Sequence, residues 1–212
     1  MKAMLFDLDG TLVDTLPLYI KSYSKALIDQ GFYFSDKEIV ERCFGKTEDD
    51  ICTKLEIPEQ TDIFRKTYFQ GVQNHFVEGN LFPGVLDYLV YAKDMGMKLG
   101  VISFAYRWYV DRILEKLDIQ KYFDIVIGFD DVKNPKPNPE AINIACEKLE
   151  IMPDEVLMIG DSKSDVMMGN AGGTKTALFH PDGHGIFYDI NTLKESNPTF
   201  TISNFSELIK LI

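Results

Sequence analysis

The sequence predicts an α/β protein: a parallel sheet with helices on both faces, interrupted near its start by an inserted helical module. Three observations lead there. Apolar runs of strand length recur at residues 3–6, 98–102, 123–127, 155–159 and 176–179, each closed by a polar residue or a glycine. Between them apolar residues fall at helical spacing, as in Val110, Ile113, Leu114 and Leu117, and in Ala141, Ile144, Ala145 and Leu149. Strand alternating with helix is the pattern of a parallel, Rossmann-like sheet. The stretch from residue 17 to 81 breaks that rhythm, with helix-like patterns and no convincing strand.

The first strand is Ala3-Met4-Leu5-Phe6, which runs into an acidic turn. Helical patterns at 19–30, 36–43, 48–55 and 62–76 then build the insert. Its aromatics Phe32, Tyr33, Phe34, Phe44, Tyr68, Phe69 and Phe76 are expected to pack a small bundle core. Pro83-Gly84 marks the return to the sheet domain, because a Pro-Gly turn separates elements and a helix at 85–95 follows. The remaining strands alternate with helices, and Trp108, Met167 and Met168 read as core or helix-face residues. Residues 200–202 add a last strand, with Ser203 or Asn204 capping a terminal helix through Glu207, Leu208 and Leu211. The expected domains are therefore an α/β core of residues 1–15 and 83–212 and a helical module of residues 16–82.

Composition narrows the function classes. Hydrophobic residues make up 45% of the 212 and charged residues 26%, the balance of a globular chain and not of a disordered or fibrous one. A net charge of −11 argues against a nucleic-acid or membrane partner, since both need a basic face. No apolar run approaches the roughly 18–20 residues that span a bilayer. The opening Met1-Lys2-Ala3-Met4-Leu5-Phe6 meets Asp7 too early for a signal peptide, so a cytoplasmic location is expected. Cys43, Cys52 and Cys146 form no CxxC pair and read as small apolar thiols. His180 and His184 are separated by Pro181 and Gly183, which break any helix that would align them, so a surface loop is expected.

Asp7-Leu8-Asp9-Gly10-Thr11-Leu12-Val13-Asp14 directly follows the first strand. Open α/β sheets bind ligands at that carboxyl edge. Alternate residues on an extended segment point the same way, so Asp7 and Asp9 can converge on one reacting atom while Gly10 lets the backbone turn. Like charges that close demand a cation or a shared proton. A solvated acidic turn that caps a helix is the blander alternative.

This string resembles the first signature of the haloacid dehalogenase superfamily, in its phosphatase and phosphomutase branch. The rest of the chain supplies three further matches in order: Ser103 after Gly100-Val101-Ile102, Lys136 within Asn134-Pro135-Lys136-Pro137, and Asp161 with Asp165 in Gly160-Asp161-Ser162-Lys163-Ser164-Asp165. The resemblance spans essentially the whole chain and implies that the helical insert is the family's cap. It implies a Mg²⁺-dependent phosphatase acting on a small phosphorylated metabolite; a monomer or small homo-oligomer is expected. Asp7 would be the nucleophile, since a carboxylate is already ionised near neutral pH and gives an acyl phosphate that water can cleave. Asp9 would be the general acid and then base. Asp7, Asp161 and the backbone carbonyl of Asp9 would hold Mg²⁺, a hard cation that favours oxygen ligands. Asp165 would orient Lys136 or a metal-bound water, and Ser103 and Lys136 would meet the phosphoryl charge.

Two departures qualify the resemblance. Many relatives follow the Ser or Thr with Asn, whereas Phe104 stands here, leaving backbone N–H groups to bind the phosphoryl group at that point. Mutases of the β-phosphoglucomutase kind carry His and Arg at positions that correspond to Tyr19 and Glu48, so Lys46 is the remaining cap cation near Gly45 and hydrolysis is the expected reaction. A phosphosugar mutase remains the alternative. A receiver-like signalling protein is less consistent, because receivers place the phosphorylated aspartate after a third strand. A phosphate-binding protein that has lost turnover is a third reading.

Overall fold

A computed structural model describes residues 1–75 and 78–211. Strands β1 (Ala3–Phe6), β2 (Lys98–Ile102), β3 (Ile125–Ile127), β4 (Val156–Gly160), β5 (Lys175–Phe179) and β6 (Phe200–Ile202) form one sheet in the order β3-β2-β1-β4-β5-β6. Every neighbouring pair is parallel. The helices are α1 (Leu16–Asp29), α2 (Asp36–Cys43), α3 (Glu48–Lys54), α4 (Thr61–His75), α5 (Val85–Asp94), α6 (Arg107–Lys116), α7 (Glu140–Leu149), α8 (Lys163–Ala171) and α9 (Ile190–Lys194). Parallel neighbours cannot be joined by a tight hairpin, and each connection between successive strands accordingly contains a helix. The strand order reverses direction between β1 and β4, which puts the crevice for a ligand at the carboxyl ends of those two strands.

The chain divides into two compact units, one of residues 1–14 and 80–212 and one of residues 15–79. The sheet unit resumes at Asn80 because its backbone is already paired there. Asp14 N–H donates to Asn80 O at 2.9 Å, and Phe82 N–H to Leu12 O at 3.1 Å.

Within the sheet unit, side chains of β1 alternate between the two faces. Ala3 and Leu5 join Ile125, Ile127 and Met158 under Ala141, Ile142, Ala145 and Cys146 of α7. Phe6 faces the other way, with ring centroids 6.2 Å from Tyr88 of α5 and 6.2 Å from Phe205. Burial on both faces explains why these strands read as continuous apolar runs without alternation. The expected C-terminal helix is instead a 3₁₀ segment, Phe205–Leu211. Its cap is the Glu207 carboxylate, which accepts from Ser203 N–H at 2.8 Å and Asn204 N–H at 3.2 Å.

The unit of residues 15–79 is all helical among its described residues. α1 lies close against α4, since a Cβ on Gly71 would fall 2.9 Å from Ser22 Cβ. Tyr23 and Tyr68 stack at 4.2 Å, and Phe64, Ile39 and Ile51 are buried with them. Phe44 and Phe69 join this cluster at 5.8 Å from Tyr23 and 5.3 Å from Tyr68. Phe32 and Phe34 pair at 5.9 Å, but Tyr33 is 78% exposed and does not take the core position expected of it. Phe76 lies outside the described residues. A Ser35–Glu38 capping box starts α2, and the Thr47 side chain caps α3. All three cysteines are free and buried.

Trp108 and Met167 lie on exposed helix faces and Met168 is fully buried, each within the core or helix-face positions expected. One further expectation needs correction. His184 is not a surface-loop residue: it is 3% exposed and ringed by Phe82, Phe179, Phe187 and Tyr188. Proline and glycine do break the helix here, but the segment folds inward because these aromatics enclose the imidazole. Among the described residues neither ring nitrogen of His184 has a hydrogen-bond partner, nor has Nε2 of His180. Burial, reinforced by the neighbouring His180, pushes His184 down from 6.5 to about 4. The fold therefore favours neutral imidazole, and the stability this contributes is complete above the unfolded value and lost as pH falls toward 4. Urea unfolding between pH 7 and pH 4 is expected to show wild type losing up to about 3 kcal/mol more than His184→Phe. Parallel pH curves for the two proteins would contradict that assignment.

Candidate active site

The site is built from the ends of three strands and one loop. Asp7 leaves β1 with its N–H still in the ladder, donating to Ile159 O at 2.8 Å. The chain then doubles back, with Leu12 and Val13 N–H both donating to Leu8 O at 2.9 Å and Gly10 N–H to Val13 O at 2.8 Å. Gly10 permits this turn at φ 85°, and a Cβ there would lie 2.5 Å from Asp161 Oδ2. Turn geometry and the close approach of β4's carboxylate thus both demand glycine. Asp161 follows β4, and Thr11 Oγ1 donates to its Oδ1 at 3.2 Å. Ser162 caps α8, with Asp165 as the third residue of a reciprocal capping box.

Lys136 reaches in from the loop between β3 and α7. Its Nζ donates to Asp7 Oδ1 and Asp165 Oδ1, each at 2.6 Å. Asp165 Oδ2 in turn accepts from Ser162 N–H at 3.1 Å. Asp7, Asp161, Asp165 and Lys136 are all buried. One carboxylate oxygen from each of the three aspartates lies within 4.8 Å of the others.

The electrostatics follow from that packing. Burial pushes Asp7 up to about 7, against the pull of the Lys136 ammonium and with the added repulsion of Asp165. Burial, then the charges of Asp7 and Asp165, hold Asp161 well above the carboxylate range. Burial would push Lys136 down, but Asp165 and Asp7 outweigh it and the ammonium form is retained. Tyr188 is likewise raised, by burial and by the same three carboxylates.

The other anticipated residues fall as follows. Ser103 ends β2 in a buried position, with its N–H on Ile127 O at 2.9 Å and its Oγ accepting from Ala105 N–H at 3.0 Å. Phe104 is half-buried, its ring 5.2 Å from Phe129. Asp9 is half-buried and outside the three-carboxylate group; its Oδ1 accepts from the Tyr109 hydroxyl at 3.1 Å. Lys46 belongs to the helical unit, where Nζ donates to Glu41 O. In that same unit Glu48 is buried and lies 3.5 Å from Arg65, which also meets Asp49 and Asp62 at 2.7 and 3.0 Å. Sequence reasoning did not single out Tyr109, Thr11 or Ser162 as parts of the site. Ser162 was findable from the spacing Ser162-x-x-Asp165, a capping-box signature.

A family model described as haloacid dehalogenase-like hydrolase matches residues 4–179. The chain belongs to that family. It is 31% identical over its full length to 96% of a pyrophosphatase, PpaX, from Bacillus pumilus. It is 30% identical, over 99% of its own length and 91% of the relative's, to a phosphoglycolate phosphatase from Salmonella choleraesuis. The fold matches, at a TM-score of 0.87 and 23% identity, a structure described as a predicted phosphoglycolate phosphatase from Haemophilus somnus, covering 100% and 97% of the two chains. Among the described residues, no helix of this hydrolase is long and apolar enough to cross a membrane.

The donor set of this haloacid dehalogenase-like hydrolase fits a hard divalent cation. Three buried carboxylates against one ammonium leave two negative charges uncompensated, and all the available donors are oxygens. Asp161 carries the clearest consequence. Its folded-state value lies above the unfolded one, so in the metal-free protein its ionisation lowers stability as pH rises from about 4. In EDTA at pH 8, Asp161→Asn is expected to melt at a higher temperature than wild type. Added Mg²⁺ is expected to raise the melting temperature of wild type and not that of this variant. A variant that melts lower than wild type in EDTA at pH 8 would show that Asp161 is not under electrostatic strain.

Proposed function

We propose that this hydrolase is a Mg²⁺-dependent phosphatase that cleaves small phosphorylated metabolites through a phospho-Asp7 intermediate. The observation that carries this reading is the Lys136 ammonium held 2.6 Å from both Asp7 and Asp165, beside an under-compensated Asp161. A nucleophilic carboxylate, a fixed cation and a divalent-ion donor set are thereby gathered at the carboxyl edge of β1 and β4, where such sheets bind ligands.

Asp7, Asp161 and the backbone carbonyl of Asp9 would hold the Mg²⁺, which when bound neutralises the cluster and polarises a phosphoryl oxygen. The protein's own groups do the rest. An Asp7 oxygen attacks phosphorus, and the bond to the leaving oxygen breaks as Asp9 gives that oxygen a proton. Asp9, now a carboxylate, takes a proton from water as the water attacks the acyl phosphate, which releases inorganic phosphate and restores Asp7. Lys136 opposes the effect of burial on Asp7, favouring its ionised form, orients it before attack and balances negative charge during transfer. Asp165, fixed by the first turn of α8, holds Lys136 in place. Ser103 Oγ and the Phe104 N–H supply donors to the phosphoryl oxygens, in place of the Asn side chain that Phe104 replaces, while the Ala105 N–H holds Ser103 Oγ in position.

Hydrolysis is favoured over mutase chemistry by the helical unit's own charges. A mutase must hold a second phosphate, yet Arg65 is already shared among Glu48, Asp49 and Asp62, and Lys46 is bonded to a carbonyl. On this reading the helical unit is the family's cap, which selects the substrate.

The test is phosphate release from a panel headed by phosphoglycolate and pyrophosphate, the compounds named for the two relatives, with hexose phosphates and nucleoside monophosphates, in Mg²⁺ or EDTA. Release is expected only with Mg²⁺ and is abolished in Asp7→Asn. Lys136→Ala should lower kcat by at least about 10². EDTA-insensitive release, or wild-type turnover by Asp7→Asn, would overturn the reading.

A further inference from the structure

Tyr109 stands on no motif, yet its hydroxyl meets the carboxylate proposed as general acid, 3.1 Å from Asp9 Oδ1. We propose that Tyr109 is a positioning residue that holds the Asp9 carboxylate in the orientation from which it protonates the leaving oxygen. This rests on the reading of Asp9 as the acid, and on three observations about its surroundings.

Asp9 sits half-buried on a reversing turn beside Gly10, outside any regular element. Tyr109, by contrast, is 4% exposed on the inward face of α6 beside Val110, Ile113 and Leu114. The start of α6 is pinned as well. Arg107 N–H donates to Asp130 at 2.7 Å, and the Arg107 guanidinium bonds Val126 O at 2.9 Å and Asp131 at 3.2 Å. The phenol oxygen is therefore a well-held donor to the Asp9 carboxylate. A phenylalanine would fill the same apolar position without burying a hydroxyl, so the hydroxyl has a use beyond packing. Orientation of a reacting group is worth a large factor, because small misplacements raise the barrier steeply.

The consequence is selective for leaving groups. Phenolate is a far more basic leaving group than p-nitrophenolate and needs the proton, while the two aryl phosphates differ little in shape. We therefore compare kcat/KM, which reports steps through departure of the leaving group, for phenyl phosphate and p-nitrophenyl phosphate in wild type, Tyr109→Phe, Asp9→Asn and the double variant. Tyr109→Phe is expected to lower kcat/KM for phenyl phosphate about tenfold more than for p-nitrophenyl phosphate, part of the ~10²–10⁴ that a positioned acid contributes. The double variant should be no slower on phenyl phosphate than Asp9→Asn alone. Equal losses on both substrates, no loss, or additive losses in the double variant would overturn the role of Tyr109 while leaving Asp9's intact. If Asp9→Asn itself shows no preference between the substrates, the acid assignment fails and the Tyr109 proposal fails with it. Thermal melting of each variant separates these outcomes from misfolding.

Discussion

The Lys136 ammonium, held between Asp7 and Asp165 in a buried pocket, is the contact on which the rest of the site depends. Removing one partner from a buried ion pair leaves an uncompensated charge and costs about 3–5 kcal/mol, whereas the intact pair contributes little net stability. Such an arrangement is better understood as positioning than as a stabilising device. It holds the Asp7 carboxylate at the end of β1 with one oxygen engaged, and it ties the β3–α7 loop to the start of α8. Neither the loop nor the helix terminus would otherwise need to meet.

Backbone geometry serves that contact. The strand order reverses between β1 and β4, so the two carboxyl ends that carry Asp7 and Asp161 are neighbours with no strand between them. Glycine at position 10 lets the chain turn away and leaves room for Asp161. Gly160 plays the same spatial part for Asp165, whose Cβ lies 2.3 Å from where a Gly160 Cβ would stand. Acidic density at this edge is thus bounded by sterics as much as by charge. The imbalance of three carboxylates against one ammonium is what makes a divalent cation the natural complement.

The helical unit follows a different logic. Its core is aromatic, centred on the Tyr23–Tyr68 stack, and its charges pair among themselves around Arg65. Glu48, where a mutase-like relative would carry a cation, is buried beside that arginine. Local self-neutralisation of this kind occupies Arg65 with its own unit's carboxylates.

By itself the sequence determined the elements and the chemistry-bearing residues, because both depend on local pattern. Continuous apolar runs marked β1, β2 and β4, helical spacing marked α6 and α7, and each of Asp7, Ser103, Lys136 and Asp161 follows a strand or strand-helix junction. What only the tertiary structure decided are contacts between distant positions. Asp7 and Lys136 are 129 residues apart and Asp9 and Tyr109 are 100 apart, so no spacing could report that the one pair meets at 2.6 Å and the other at 3.1 Å. His184 carried misleading local signals, since its proline and glycine neighbours suggest a surface loop while the aromatic ring around it comes from separate elements. Local preference sets which residues can form a strand end or a turn; burial and charge pairing across the fold decide which of them act on one another.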